Sequence, residues 1–204
     1  MSASPERTTL FDLAGGHPAL DLVNSLDNRF RADGPNEMLT GFDELVRFMR
    51  ETGLVTADQA ELLKKRPNPA ASSQALQSVR ELREASAAVL YAIATDKSPP
   101  AGELKTLERY FLEADRHRRL CWDQQASWQW ADDESNPELT VWILSRSVSE
   151  LLFSGQIAHM RTCDVDTCRW LFLDTSKNHS RRWCNMKVCG NRVKARRFQA
   201  RRES

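Results

Sequence analysis

Cys163, Cys168, Cys184 and Cys189 form two pairs with four residues inside each pair and 15 residues between the pairs. Each pair can close a tight turn on a single ion. Four soft thiolates in tetrahedral geometry select Zn2+ over harder cations, so structural zinc is the first chemistry to consider. An iron-sulfur cluster and a redox-sensing dithiol are the alternatives, and colour or thiol titration would separate them. No Cys-x-x-Cys redox motif occurs in the chain, and a reducing cytoplasm disfavours disulfides. His179, inside the module, is the competing ligand. His17, His117 and His159 are isolated from one another, which suits surface or core histidines. Cys121, between Leu120 and Trp122, is expected to be a small buried apolar residue.

Four thiolates around a dication leave a net charge near −2, and Arg161, Arg169, Arg182 and Arg192 are placed in sequence to compensate it. Trp170, Phe172 and Trp183 lie between the cysteine pairs and should form the small apolar core of a module whose folding energy comes mainly from its metal. After the last cysteine, Gly190 offers a backbone free to turn sharply and Asn191 an N-cap, and no helix breaker follows from Arg192 to Arg202. A basic helix is therefore expected to leave the metal site. At 100° per residue, Lys194, Arg197 and Arg201 share one face, and Arg192 and Arg196 share another. With Lys177, Arg181 and Arg182 in the connecting loop, these residues form a candidate surface for duplex DNA. A solvated helix on a protein-interaction module is the other reading.

The charge division agrees with this. Residues 1–160 carry 17 Lys+Arg against 24 Asp+Glu, whereas residues 161–204 carry 12 against 4. An acidic body attached to a basic tail suggests a polyanion-facing module. The whole chain of 204 residues is one or two domains long, and its 41% apolar and 28% charged content is that of a globular protein. No apolar run approaches the roughly 20 residues of a membrane helix, and no leader-like start is evident, so a cytoplasmic protein without membrane attachment is expected.

The elements that must position the module read as mainly helical. Phe42 to Thr52 has apolar residues at helical spacing, and Thr56 to Lys65 opens with a Thr56/Gln59 capping box. Ser72 to Thr95 places Leu76, Val79, Leu82, Val89, Leu90 and Ile93 on one stripe, preceded by a loose linker over Pro67 to Ser73. Ala101 to Asp115 forms a further helix, with Leu104, Leu107, Phe111 and Leu112 inward. Alternation from His117 to Asp132 predicts a hairpin. Asn136-Pro137 opens a last helix carrying Val141, Leu144, Val148, Leu151 and Leu152. The fold class is mainly α with a small β-hairpin and a C-terminal zinc-knuckle module ending in a basic helix. Residues 1–160 form a sensor or dimerisation domain and residues 161–204 the zinc finger.

The tail resembles the CGNR zinc finger family. The resemblance lies in Cys163-Asp164, Cys168, Trp170-x-Phe172-x-Asp174-x-Ser176, Ser180-Arg181-Arg182-Trp183-Cys184-x-Met186 and Cys189-Gly190-Asn191-Arg192-x-Lys194-x-Arg196. It implies that the cysteines are zinc ligands. Gly16-His17-Pro18-Ala19-Leu20-Asp21-Leu22-Val23-Asn24-Ser25 and Arg29 resemble the ABATE domain that precedes such fingers. Proteins of this arrangement are bacterial and regarded as stress-induced transcriptional regulators, so the resemblance implies DNA binding.

Residues 1–160 show no Gly-rich phosphate loop, paired histidine ligands or nucleophile elbow, and a non-enzyme is expected. Asp21, Asn24, Asp27, Asn28 and Arg29 form a polar set that could line a small-molecule pocket, with Asp21, Asn24, Asn28 and Arg29 the candidate ligand-binding residues. Alternatively they belong to an element that caps its own backbone and contributes one core face. The sequence thus reads as a zinc-dependent, DNA-binding regulator that answers to stress or an effector, with a homodimer as its candidate assembly. The rivals are an RNA-binding or protein-adaptor module, and an enzyme using the polar set with His117 or His159.

Overall fold

The computed structural model describes residues 11–65, 68–131 and 134–203. The first elements of the described residues are a short helix, α1 (Pro18–Asn24), and a two-residue ribbon, β1 (Leu26–Asp27) with β2 (Asn36–Glu37). Helices α2 (Phe42–Glu51), α3 (Ala57–Lys64), α4 (Pro69–Ala94) and α5 (Ala101–Arg116) follow. The hairpin β3 (Arg118–Asp123) and β4 (Gln125–Trp130) leads to α6 (Leu139–Phe153). A 3-10 turn, Gly155–His159, then enters a second small hairpin, β5 (Met160–Thr162) and β6 (Leu171–Leu173). A π-helical turn, Met186–Gly190, opens α7 (Asn191–Glu203). The architecture is mainly α, with small antiparallel strand pairs and a four-cysteine module at the C-terminal end.

Most helix boundaries follow local chemistry. The Thr56/Gln59 capping box forms, with Gln59 N donating to the Thr56 hydroxyl at 3.2 Å and Thr56 N to the Gln59 carbonyl at 3.0 Å. Asn68 caps α4 ahead of Pro69, so the helix begins inside the segment expected to be a linker. The cap and a first-turn proline outweigh its loose composition. Pro67 itself lies outside the described residues. In α5 the buried face is Leu107, Tyr110 and Ala114, with Phe111 packed beside it, whereas Leu104 and Leu112 are exposed. The inward stripe is rotated because Tyr110 reaches Glu81 of α4 at 2.8 Å. Cys121 sits half-buried on the hairpin instead of in the core. The hairpin face away from it carries Leu120 opposite Trp128 and Trp122 opposite Ala126.

The main core is built by α1, α2, α4 and α6, with Leu20, Leu22, Phe48, Met49, Leu82, Leu90 and Val148 completely shielded. Its C-terminal edge is β6. Leu171 and Leu173 point into this core, while Phe172 between them points into the cysteine module. That alternation follows from the two-residue period of a strand. Three residues therefore serve two cores.

Candidate metal centre

Cys163 follows β5, and its backbone N–H donates to Trp170 O at 2.8 Å, which closes the first cysteine turn across the small hairpin. Cys168 is held by a tight turn in which Cys168 N and Arg169 N both donate to Val165 O. Arg169 adopts the left-handed region with φ 57°, reversing the chain after that turn. On the other side, the Asn185 side chain accepts from Lys187 N at 2.9 Å and the Asn185 carbonyl accepts from Cys189 N and Gly190 N. Asn185 is therefore the residue that caps the turn carrying Cys189.

The result is one buried cluster. The sulfurs of Cys163, Cys168, Cys184 and Cys189 all lie within 4.8 Å of one another, with Cys168 to Cys184 at 3.6 Å and Cys184 to Cys189 at 3.7 Å. A tetrahedron with metal–sulfur bonds of about 2.3 Å has edges of about 3.8 Å, so the donor set fits a four-thiolate metal site. Hydrogen bonds from Cys168 and Cys184 hold the Cys163 thiol far below the usual range, with the N–H groups of Cys184 and Val165 adding to this. The bond to Cys163 pushes Cys168 up, and the bonds to Cys163 and Cys168 push Cys184 up. Four thiols must lose their protons to bind a dication, and the ion shares the resulting charge. Phe172, Val165 and the flanking Trp170 and Trp183 pack around the sulfurs.

The arginines near the cluster act through backbone and carboxylates. Arg182 Nε bonds Asp164 at 2.6 Å, and Arg161 Nε lies 3.3 Å from Asp174 while its terminal nitrogen donates to His179 O. Arg181 Nε donates to Trp183 O at 2.8 Å, its terminal nitrogen reaches Cys184 O, and its guanidinium stands 4.5 Å from the centre of the Phe172 ring. It braces the loop that delivers Cys184. Asp174, fully buried, organises the same loop by accepting from Ser176 N, the Ser176 hydroxyl and Arg181 N. His179 is not among the four ligands: its Nδ1 donates to Asp174 O at 2.9 Å and its ring stacks on His159 at 4.2 Å.

Two expectations about the helix start are corrected. Asn191 has φ −68° and ψ −35°, already helical, and its amide donates to Lys187 O; the cap belongs to Asn185 because the turn before α7 is wider than an α turn. Gly190 does not need a left-handed backbone. A Cβ there would come within 2.5 Å of Met186 Sδ, so a larger residue would make that exposed side chain move. Along α7, Arg192, Lys194 and Arg196 are exposed and make no described ion pair. Lys177 is exposed as well. Arg197 and Arg201 lie on α7, and their side chains are outside those described.

The motif Gly15 to Asn24 meets the module directly. His17 caps α1, its Nδ1 accepting from Ala19 N at 3.2 Å, which requires the neutral ring that its burial favours. Buried Asp21 accepts from Gly15 N at 2.8 Å, and Gly15 O accepts from Leu173 N at 2.8 Å. A Cβ at Gly15 would lie 2.7 Å from Asp21 Oδ1. Asn24 binds both backbone groups of Leu171, donating at 2.9 Å and accepting at 3.0 Å. Asp27 accepts from Trp170 Nε1 at 2.8 Å, and Tyr91 donates to Arg169 O at 3.0 Å. Arg29 pairs with Glu84 of α4. Of the four candidate ligand-binding residues, Asn28, left-handed at φ 53°, borders an open cleft, while Asp21 and Asn24 are buried. Sequence reasoning overlooked that Asn24 and Asp27 tie the N-terminal motif to the module, because nothing local marks a partner some 147 residues away.

Family comparison completes the picture. Residues 16–155 match the ABATE family, described as "Putative stress-induced transcription regulator". The chain belongs to this family. Residues 159–202 match the CGNR zinc finger, so the ABATE chain ends in a second family's metal-binding module whose four cysteines are the clustered ones. No curated protein matches the chain. Among the described residues no helix is long and apolar enough to cross a membrane.

Proposed function

We propose that this ABATE-family chain is a zinc-dependent, DNA-binding transcriptional regulator and not an enzyme. The observation that carries the reading is the placement of α7: a helix rich in arginine springs from Cys189, and Lys194 on its outward side has no acidic partner among the described residues. Zinc fits the four-thiolate donor set, and it would fix the helix start while contributing no chemistry of its own. Lys194, with Arg197 and Arg201 at helical spacing and Lys177 in the loop, would face phosphates. Arg181 and Arg182 are taken up by carbonyls and Asp164, so their share is structural. Leu120, Trp122 and Trp128, exposed on one hairpin face, support a homodimer. An effector or stress signal acting on the helical body, in the cytoplasm, is consistent with the family.

The test is fluorescence anisotropy on duplex DNA across a salt series. Each phosphate contact should add about 0.9 to the log–log slope, and replacing Lys194, Arg197 and Arg201 with Ala should flatten it by about 2 to 3. A flat salt response from folded, zinc-loaded protein removes DNA from contention and leaves the protein-adaptor reading.

A further inference from the structure

A cleft of about 530 Å3 opens where the module meets the helical body. Arg192 and Arg196, one helical turn apart on α7, form one side, and Arg31 and Asn28, from the loop after β1, form the other. Trp170, Met38 and Val188 supply an apolar wall, and Cys168, Cys184 and Cys189 lie beneath. The volume is that of a small-molecule site, and such sites combine an apolar lining with a few placed charges.

The hydrogen bonding decides which ligand chemistry suits it. The two carboxylates on the cleft already have donors. Asp27 accepts from Trp170 Nε1 at 2.8 Å, Asn28 N at 2.7 Å and Asn28 Nδ2 at 2.9 Å, and Asp12 accepts from Asn185 Nδ2 at 3.4 Å. The guanidiniums are in the opposite condition: Arg192 and Arg196 have no described hydrogen bond or ion pair, and Arg31 has only Asp33 at the exposed rim, 3.2 Å away. Unspent donors lining an apolar-walled cleft call for an acceptor with an apolar body.

We propose that this cleft binds a small organic anion with a ring-sized apolar body, held between Arg192 and Arg196 of the module and Arg31 of the helical body. Such a ligand touches both regions at once and would fix how α7 is presented. The proposal stands whether or not α7 contacts DNA, since it concerns the side of the helix facing the body.

The experiment is calorimetric titration of the full-length, zinc-loaded chain with 1-naphthoate, alongside 1-naphthylmethylammonium and inorganic phosphate. Saturable binding of one naphthoate per chain is expected, with weaker binding of phosphate and none of the ammonium compound. The Arg192→Gln/Arg196→Gln pair should weaken naphthoate binding by about tenfold or more, whereas Lys194→Gln, nearly opposite on the helix, should leave it unchanged. Zinc content and helicity are measured on each variant; should the pair lose metal, Arg31→Gln, which lies outside the module, provides the same test and should weaken binding as well. Absence of naphthoate binding up to millimolar concentration, equal binding of the ammonium compound, or affinity indifferent to all three arginines overturns the proposal. The last outcome would place the probe on the exposed tryptophans of the hairpin. Duplex binding that depends on Arg192 and Arg196 without any naphthoate binding would assign these arginines to DNA, and equally overturns it.

Discussion

The helical body and the cysteine module are stabilised in different ways. In the body, long apolar side chains such as Leu20, Phe48, Leu82 and Val148 are buried to completion, so water exclusion supplies the driving force. In the module the buried set is Cys163, Val165, Cys168, Phe172, Cys184 and Cys189, and four of those six are thiols. So small an apolar core cannot offset chain entropy without metal. The two nevertheless share β6 and exchange hydrogen bonds through Asn24, Gly15 and Asp27. Regions with separate sources of stability are thus built to respond to each other.

The sharpest way to break that comparison is Cys184→Ser in the full-length chain. Metal analysis should find the zinc lost, and hydrogen exchange should find protection lost in β5, β6 and α7 while α2 to α6 stay protected. For a site worth on the order of 10 kcal/mol this is the largest effect expected from a single side chain. A variant that keeps α7 protected without metal would show that the module does not depend on its ion. Next come two neighbours on opposite faces of β6. Leu171→Ala and Phe172→Ala should each cost about 2 to 5 kcal/mol. The first should chiefly lower the thermal midpoint of the body, and the second should chiefly hasten zinc release to a chelator. Identical effects on both readouts would mean that the two cores are one.

A smaller effect concerns pH. Burial pushes the Asp21 carboxyl up to about 7, with the Gly15 N–H opposing this and Asp12 adding repulsion. Unfolded, such a carboxyl titrates near about 3.9. Between those values the folded chain binds a proton that the unfolded chain does not, so the contribution of Asp21 to stability falls as pH rises through that window and stays low above it. Asp21→Asn keeps an acceptor for Gly15 N and removes the charge. Denaturant unfolding should show the variant more stable than the parent near pH 8 and equal to it near pH 4. A constant difference across that range would mean that Asp21 does not titrate in it. Smallest of all, Asn191→Ala should cost less than about 1 kcal/mol, because its exposed amide bonds Lys187 O and caps nothing. A loss of zinc there would reinstate it as part of the metal turn.

Local signals made much of this legible in the sequence. The cysteine spacing marked the metal cluster, the Thr56/Gln59 box marked α3, and the alternation around Trp128 and Trp130 marked the hairpin. Errors fell where a distant partner or an irregular turn overruled local preference. The α5 face turned to let Tyr110 reach Glu81, and the cap moved from Asn191 to Asn185 because the turn carrying Cys189 is wider than an α turn. The polar set around Asn24 read as pocket or, in preference, as an element capping its own backbone; neither located Leu171, since an amide's sequence position does not reveal which backbone it will meet.

By itself, then, the sequence determined which residues could bind metal and which segments are helical, because thiol chemistry and amphipathic period act over a few residues. Only tertiary structure decided that Asn24 holds Leu171, that Arg181 braces the Cys184 loop and that Arg192 and Arg196 face Arg31 across a cleft. These relations join positions far apart in the chain, and the packing that brings them together is a property of the whole core.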